Sequence, residues 1–177
     1  MPIGHSPGIP GDYVFYVSIQ GAKQGKFKGE GAHAHKNVIP AHSFSYEVIS
    51  PRDVATGQAT GKRQHRPVTI SKEWGASSPQ LFQAAVTNEN LSSVLFEFPV
   101  TDARGVEVVH HTIKLTNASV ASYKMYTAEH ATSGHTFELE DVSFTFQKIQ
   151  IEDLAGKTAA ADDWSGRLPA RLTGVTS

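Results

Sequence analysis

Regular alternation of apolar and polar residues runs through most of this chain and predicts β-strands. In residues 13–20, one predicted strand face carries Tyr13, Phe15, Val17 and Ile19. The same alternation predicts six more strands, at residues 38–49, 67–74, 93–100, 107–116, 119–126 and 135–151. The sequence therefore predicts a β-rich protein.

A single segment, residues 77–88, predicts an α-helix. Ser77 and Ser78 supply capping hydroxyls, and Pro79 stands at the start of the helix, where its missing N–H costs nothing. The apolar residues that follow recur at helical spacing and predict one buried stripe: Leu81, Phe82, Ala85 and Val86. We expect the helix to end near Asn88.

Seven strands in mostly antiparallel order with one helix are typical of a β-barrel or a sandwich. The turn residues 102–105, Asp-Ala-Arg-Gly, predict a hairpin. Residues 50–66 are rich in Gly, Thr, Gln and charge and predict a long loop, and loops of this length are usually functional or disordered. From residue 155 the alternation stops, which predicts a tail. Several strands have a second face of small polar residues, which favours a surface shared with another subunit or a wet channel.

The composition narrows the function classes. The chain has 177 residues, no cysteine and a net charge of −1, which predicts one domain over residues 1–177 without disulfides or thiolate metal sites. A nucleic-acid binder would need clustered positive charge, so we expect no nucleic-acid partner. We also expect no membrane insertion, because no stretch approaches the roughly 20 apolar residues of a spanning helix.

The first residues, rich in Pro and Gly, lack the basic and apolar regions of a secretory signal peptide. We therefore expect a protein made in the cytoplasm. Residues 1–12 are interpreted as a flexible leader and residues 165–177 as a tail.

The nine histidines are candidate metal ligands or catalytic groups. His33 and His35 could face one side of a strand, but a cupin-type site would need a glutamate where Ile39 and Pro40 stand. His110 and His111 are adjacent, so on a regular strand they would point to opposite sides. The sequence therefore predicts no catalytic residue, no metal ligand and no cofactor.

Charge is segregated along the chain. Residues 51–73 contain five basic and two acidic residues, a net charge of +3, whereas residues 138–163 contain seven acidic and two basic residues, a net charge of −5. Such segregation favours head-to-tail association of copies, with solvated loops as the alternative.

Several segments in order resemble the Hcp family, the haemolysin co-regulated proteins that form the inner tube of bacterial type VI secretion systems. Residues 61–70, Gly-Lys-Arg-Gln-His-Arg-Pro-Val-Thr-Ile, are similar to the family's passage from loop to strand. Residues 77–84 resemble its single helix, with a Ser-Pro pair followed by Leu-x-x-Ala. Residues 110–117, 142–149 and 161–164 also resemble Hcp segments, and the likeness spans roughly residues 13–164.

The resemblance implies a fold, an assembly and partners. The fold would be an antiparallel β-barrel of two sheets with one short α-helix and an extended loop. Six copies would form a ring, and rings would stack into a tube that a contractile sheath ejects, with a VgrG-type spike at its tip and effector proteins in its lumen. The protein would thus be secreted through the type VI system without a signal peptide, and it would be no enzyme.

The loop at residues 50–66 corresponds to the family's extended loop, which contributes to ring stacking. On that basis the predicted stacking residues are Arg52, Asp53, Lys62, Arg63 and His65. Two other functions stay open: a tail-tube protein of a phage or phage-like contractile particle, and a histidine-dependent metalloenzyme on a β-barrel.

Overall fold

The computed structural model describes residues 14–30, 37–130 and 132–164. Eleven strands and one helix lie in these residues. In chain order they are β1 (Phe15–Gly21), β2 (Gly25–Lys26), β3 (Ile39–Ala41), β4 (Ser43–Ser45), β5 (Val48–Ile49), β6 (Gln64–His65), β7 (Val68–Glu73), α1 (Ser78–Thr87), β8 (Leu91–Thr101), β9 (Glu107–Glu129), β10 (Thr136–Asp153) and β11 (Thr158–Asp163). The predicted fold class, mainly β and antiparallel with one short helix and an extended loop, is confirmed.

Nine strands form one curled antiparallel sheet, which we call the barrel although strand pairing within the described residues does not close it. The order is β2-β1-β8-β9-β10-β7-β4, with β3 paired to β1 and β11 paired to β10. The segment from β3 to β4 spans the gap between the two ends of the curl, because β3 pairs with β1 while β4 pairs with β7. Its inward face shifts at this point: Ile39 and Ala41 are buried before the change of partner, and Phe44 packs on the core after it. The single strand predicted at residues 38–49 is therefore three short strands.

The interior of the curl is an aromatic and aliphatic core. Phe96 lies at its centre, with ring centroids 5.2 Å from Phe44, 6.2 Å from Phe144 and 6.4 Å from Phe15. Phe15, Val17 and Ile19 of the first predicted face and Val94, Phe96 and Phe98 of the face predicted for residues 93–100 lie in or against this core, whereas Val100 is exposed. Tyr13 lies outside the described residues. Burial of these rings is the main stabilising contribution to the fold.

Residues 107–129 form one long strand instead of the two that were predicted. β8 pairs Phe98 with His111 and then Pro99 with Val109, which leaves His110 as an extra, bulged residue. A second bulge follows at Ala121, opposite the step from Ser143 to Phe144 on β10. Bulges bend a strand without ending it, which lets β9 follow the curl.

The predicted helix forms, but its buried stripe differs from the prediction. Leu81 and Ala84 are buried, whereas Phe82 is 54% exposed and Val86 is 61% exposed. The helix ends at Asn88 in the left-handed conformation, as is common for C-caps. Ser77 does not cap with its side chain; its hydroxyl instead donates to Glu30.

Two segments predicted to be irregular contain short paired stretches of strand. Residues 47–66, which we call the arm, form a hairpin in which Val48 pairs with His65 and Ile49 with Gln64. Beyond residue 155 the chain returns as β11 along β10, so the tail predicted there begins no earlier than residue 164. The leader, residues 1–12, and the tail, residues 165–177, lie outside the described residues.

Candidate functional site

The arm projects from the barrel as a backbone-paired hairpin. Beyond β5 and β6, Arg52 forms a bridge with Ala59, and the Asp53 amide donates to the carbonyl of Gln58 at 2.8 Å. None of residues 50–62 is buried. The arm therefore has an ordered backbone with no side-chain packing of its own over most of its length.

The tip of the arm is closed by one carboxylate. Asp53 Oδ1 accepts hydrogen bonds from the amide of Thr56 at 2.7 Å and from the amide of Ala55 at 3.0 Å. The hydrogen bond from the Thr56 amide is the main cause that holds the pKa of Asp53 below its ordinary value. Asp53 therefore stabilises the turn, as Asp does in other tight turns.

The base of the arm is fixed to β11 by a cluster that we call the clasp: Tyr46, Arg63, His65 and Asp162. Arg63 donates through Nε and through Nη2 to the Asp162 carboxylate, the latter at 2.6 Å, and also through Nη2 to the Asp163 carbonyl at 2.9 Å. Bidentate pairs of this kind are among the stronger and more directional polar contacts.

His65 occupies the centre of the clasp. Its Nε2 lies 2.7 Å from Asp162 Oδ2, and its Nδ1 lies 2.6 Å from the Tyr46 hydroxyl. An ionised carboxylate only accepts, so Nε2 carries a proton and donates to Asp162; in the tautomer with this proton alone, Nδ1 accepts from the Tyr46 hydroxyl. The His65 side chain is 3% exposed. Its ring centroid lies 5.1 Å from Trp164 and 5.5 Å from Phe146, so the clasp is packed as well as hydrogen-bonded.

The pKa of Asp162 predicts a pH dependence of the clasp. The Arg63 hydrogen bond is the largest cause that lowers this pKa, and His65 adds to it. A lowered folded-state pKa means that the contribution to stability is complete above the ordinary Asp value of about 3.9 and is lost as pH falls through the lowered value. We expect acid titration of Trp164 fluorescence to show release of the clasp below about pH 4, with a matching loss of the transition in Asp162→Asn. A Trp164→Phe variant, which keeps only the fluorescence of Trp74, should show no such transition, and a transition that persists in Asp162→Asn would contradict the assignment.

The five predicted stacking residues thus separate into three groups. Arg52 and Lys62 are exposed along the arm. Asp53 is engaged in its own turn, and Arg63 and His65 bind Asp162 within the same chain. Arg63 and His65 thus make contacts within the chain, and the role of the five residues in stacking stays a prediction.

The acidic segment is likewise distributed over local partners. Asp162 pairs with Arg63, Glu140 with buried Lys72, and Asp141 accepts from Ser71 at 2.6 Å. Asp153 accepts from the Gly156 amide at 2.8 Å. The local net charges counted along the sequence consequently overstate the charge available to a partner.

Two surfaces are suited to contact with another molecule. The outward face of α1 presents Phe82 and Val86, and no residue of the helix is charged. Within the described residues β11 is paired along one edge only, and its centre is three exposed alanines. Uncharged apolar faces and open strand edges are typical of interfaces.

A buried polar cluster beneath the N-terminus of α1 was missed by the sequence analysis. Lys72 Nζ lies 2.6 Å from Glu140 Oε1 and 3.6 Å from Glu30 Oε1, and both Lys72 and Glu140 are 0% exposed. Glu140 also accepts hydrogen bonds from the Ser78 hydroxyl at 3.0 Å and from the Tyr123 hydroxyl. Burial is the main cause that raises the pKa of Tyr123, and the hydrogen bond to Glu140 is the second. The signal was present in the alternation, because Lys72 continues the buried face of Val68 and Ile70.

The histidine predictions have mixed outcomes. His33 and His35 lie outside the described residues. The expectation that His110 and His111 point apart is wrong, because the bulge at His110 brings the two Nδ1 atoms to 2.5 Å. Across the described ranges, no group of three or more His, Asp or Glu side chains is arranged to hold a metal ion. Nor does the described part of the chain contain a helix of the length and apolarity that crossing a bilayer requires.

Comparison with known proteins identifies the family. Residues 16–152 match the family described as "Type VI secretion system effector, Hcp". The chain is 34% identical over 162 residues to the "Major exported protein" of Pseudomonas aeruginosa, covering 84% of this chain and 94% of that protein.

Solved structures agree. A crystal structure of an Hcp protein superposes with a TM-score of 0.80 at 27% identity, covering 86% of this chain and 98% of that chain. A secreted Hcp protein from Pseudomonas aeruginosa superposes with a TM-score of 0.69 at 30% identity, covering 86% and 98%. On this sequence match and this fold, the chain belongs to the Hcp family of type VI secretion proteins.

Proposed function

We propose that the chain is the structural subunit of a type VI inner tube: six copies close into a ring, and rings stack around a lumen that carries effectors. Membership of the Hcp family over most of the chain carries this proposal. A contractile sheath and a VgrG-type spike are the partners that follow from it. The same match favours the type VI tube over the phage-like tail tube.

The described surfaces support lateral association of copies. A cyclic ring needs two different patches on each subunit that complement each other. The open edge of β11 and the uncharged face of α1 are different surfaces of one chain, and both are exposed. Neither resembles the charged, solvated surface expected of an isolated monomer.

The oligomeric mass tests the ring. We expect the native mass of the purified chain to be six times 19.1 kDa, and independent of protein concentration over a wide range. A mass that follows a monomer–dimer equilibrium would contradict the proposal.

The arm supplies the contact between rings in this proposal. Its exposed cations, Arg52 and Lys62, stand clear of the barrel, so their charge is available to a second ring. We expect Arg52→Glu combined with Lys62→Glu to shorten or abolish stacks while the ring mass stays unchanged, as measured by sedimentation and by electron microscopy. Arg104→Glu, a reversal at the 84% exposed side chain of another turn, serves as the matched control. Stacks of wild-type length in the double variant would show that the two cations of the arm take no part in the contact between rings.

A further inference from the structure

The arm has few means of holding a fixed direction. Its far part, residues 50–62, buries nothing, and Val54 at its tip is fully exposed. The backbone ladder between β5 and β6 keeps the arm paired with itself but sets no angle to the barrel. Packing and side-chain bonds to the barrel are found at its base, in the clasp.

One carboxylate joins the two halves of that clasp. The Asp162 carboxylate accepts hydrogen bonds from both Arg63 and His65, which flank Gln64 on the returning strand of the arm. Arg63 is 40% exposed and has a long, mobile side chain, so its guanidinium needs an oriented bidentate acceptor to hold one position. The second ring nitrogen of His65 is hydrogen-bonded to Tyr46, the residue just before the arm. Asp162 thus contacts the returning strand of the arm directly and, through His65, the residue that immediately precedes the arm.

Asp162 also belongs to β11, the strand with the open edge. It pairs with Ile149 of β10 in register, which fixes its carboxylate relative to the barrel. A partner that docks on the β11 edge therefore contacts the same strand that holds the base of the arm through Asp162.

We propose that Asp162 is the positioning residue of the arm, which holds it in the direction needed to meet a second copy of this chain in the next ring. This inference rests on the proposed function for the second copy, but the positioning itself is a property of the single chain. It assigns to Arg63 and His65 a role in orienting the arm within the chain, and leaves the contact between rings to the exposed arm residues.

The experiment compares wild type, Asp162→Asn and the transposed variant Arg63→Asp/Asp162→Arg, with Glu138→Gln as a carboxylate-to-amide control at an exposed position of β10. Hydrogen exchange of residues 47–66 is measured together with native mass and stack length. We expect Asp162→Asn to exchange about tenfold faster in the arm alone, to keep the ring mass, and to lose stacks. The transposed pair is expected to recover part of the slow exchange of the arm and part of the stack length, which a merely structural aspartate would not allow.

The outcomes separate the two claims. Unchanged arm exchange in Asp162→Asn, or faster exchange with stacks of wild-type length, overturns the positioning role. Loss of ring mass in Asp162→Asn also overturns it, because the residue then acts on lateral assembly. Failure of the wild type to form rings overturns the proposed function, while the exchange comparison still decides whether Asp162 orients the arm.

Discussion

Lys72→Met is expected to lower the free energy of unfolding by about 3–5 kcal/mol, the largest effect that we predict for a polar residue. Lys72 and Glu140 are both fully buried, and their charged atoms are 2.6 Å apart. Removing the ammonium leaves the Glu140 carboxylate, and in part that of Glu30, without a counter-charge in a dry interior. For a domain of this size, the loss corresponds to a fall of roughly 6–20 °C in the unfolding temperature.

Denaturant unfolding at fixed protein concentration measures this effect, because association would otherwise change the apparent stability. Lys114→Met, at an exposed position of β9, is the matched control and should stay within about 0.5 kcal/mol of wild type. The double variant Lys72→Met/Glu140→Leu should regain much of the loss, since replacing both partners by apolar groups removes the orphaned charge. A single variant as stable as the double variant would show that the pair contributes no such penalty.

Phe96→Ala is expected to cost about 3–5 kcal/mol, because a buried aromatic ring is replaced by a cavity. The Phe96 side chain is fully buried, and its ring packs against those of Phe44 on β4 and Phe144 on β10. The segment from β3 to β4 that closes the gap depends on Phe44, so the cavity loosens the closure as well as the core. Urea unfolding should show a lower midpoint with an unchanged dependence on denaturant.

Phe82→Ala is the matched control for this change, since it removes the same ring from the exposed face of α1. We expect it to leave the unfolding free energy of the isolated chain within about 0.5 kcal/mol of wild type. Equal losses in the two variants would contradict the assignment of Phe96 to the core and Phe82 to the surface.

The sequence predicted most of the β-structure because alternation reports burial directly. β1, β7 and β8 follow the predicted faces, and the turn at 102–105 forms with Gly105 at a φ of +79°. Alternation failed at residues 38–49, where the chain changes partner strand and its inward face shifts between Ala41 and His42. It also did not join the predicted strands 107–116 and 119–126 into one, because the alternation is interrupted at Asn117, which has a φ of +49°, although β9 continues through it.

The candidate site was less predictable because it depends on pairs that are far apart in sequence. Arg63 and Asp162 are 99 residues apart, so counting charges in segments could not show that they neutralise each other. Helical spacing identified α1 but not which side faces the barrel, and Phe82 and Val86 were therefore assigned to the core. The alternation contained a signal for Lys72, a charged residue on a buried strand face, but the sequence analysis made no prediction from it.

The central claim is that this chain closes into a ring with itself. Negative-stain class averages of the purified wild-type chain at physiological salt test it most directly. We expect sixfold rings with an open centre, together with side views of short stacks. Uniform monomeric particles at high protein concentration would contradict the account.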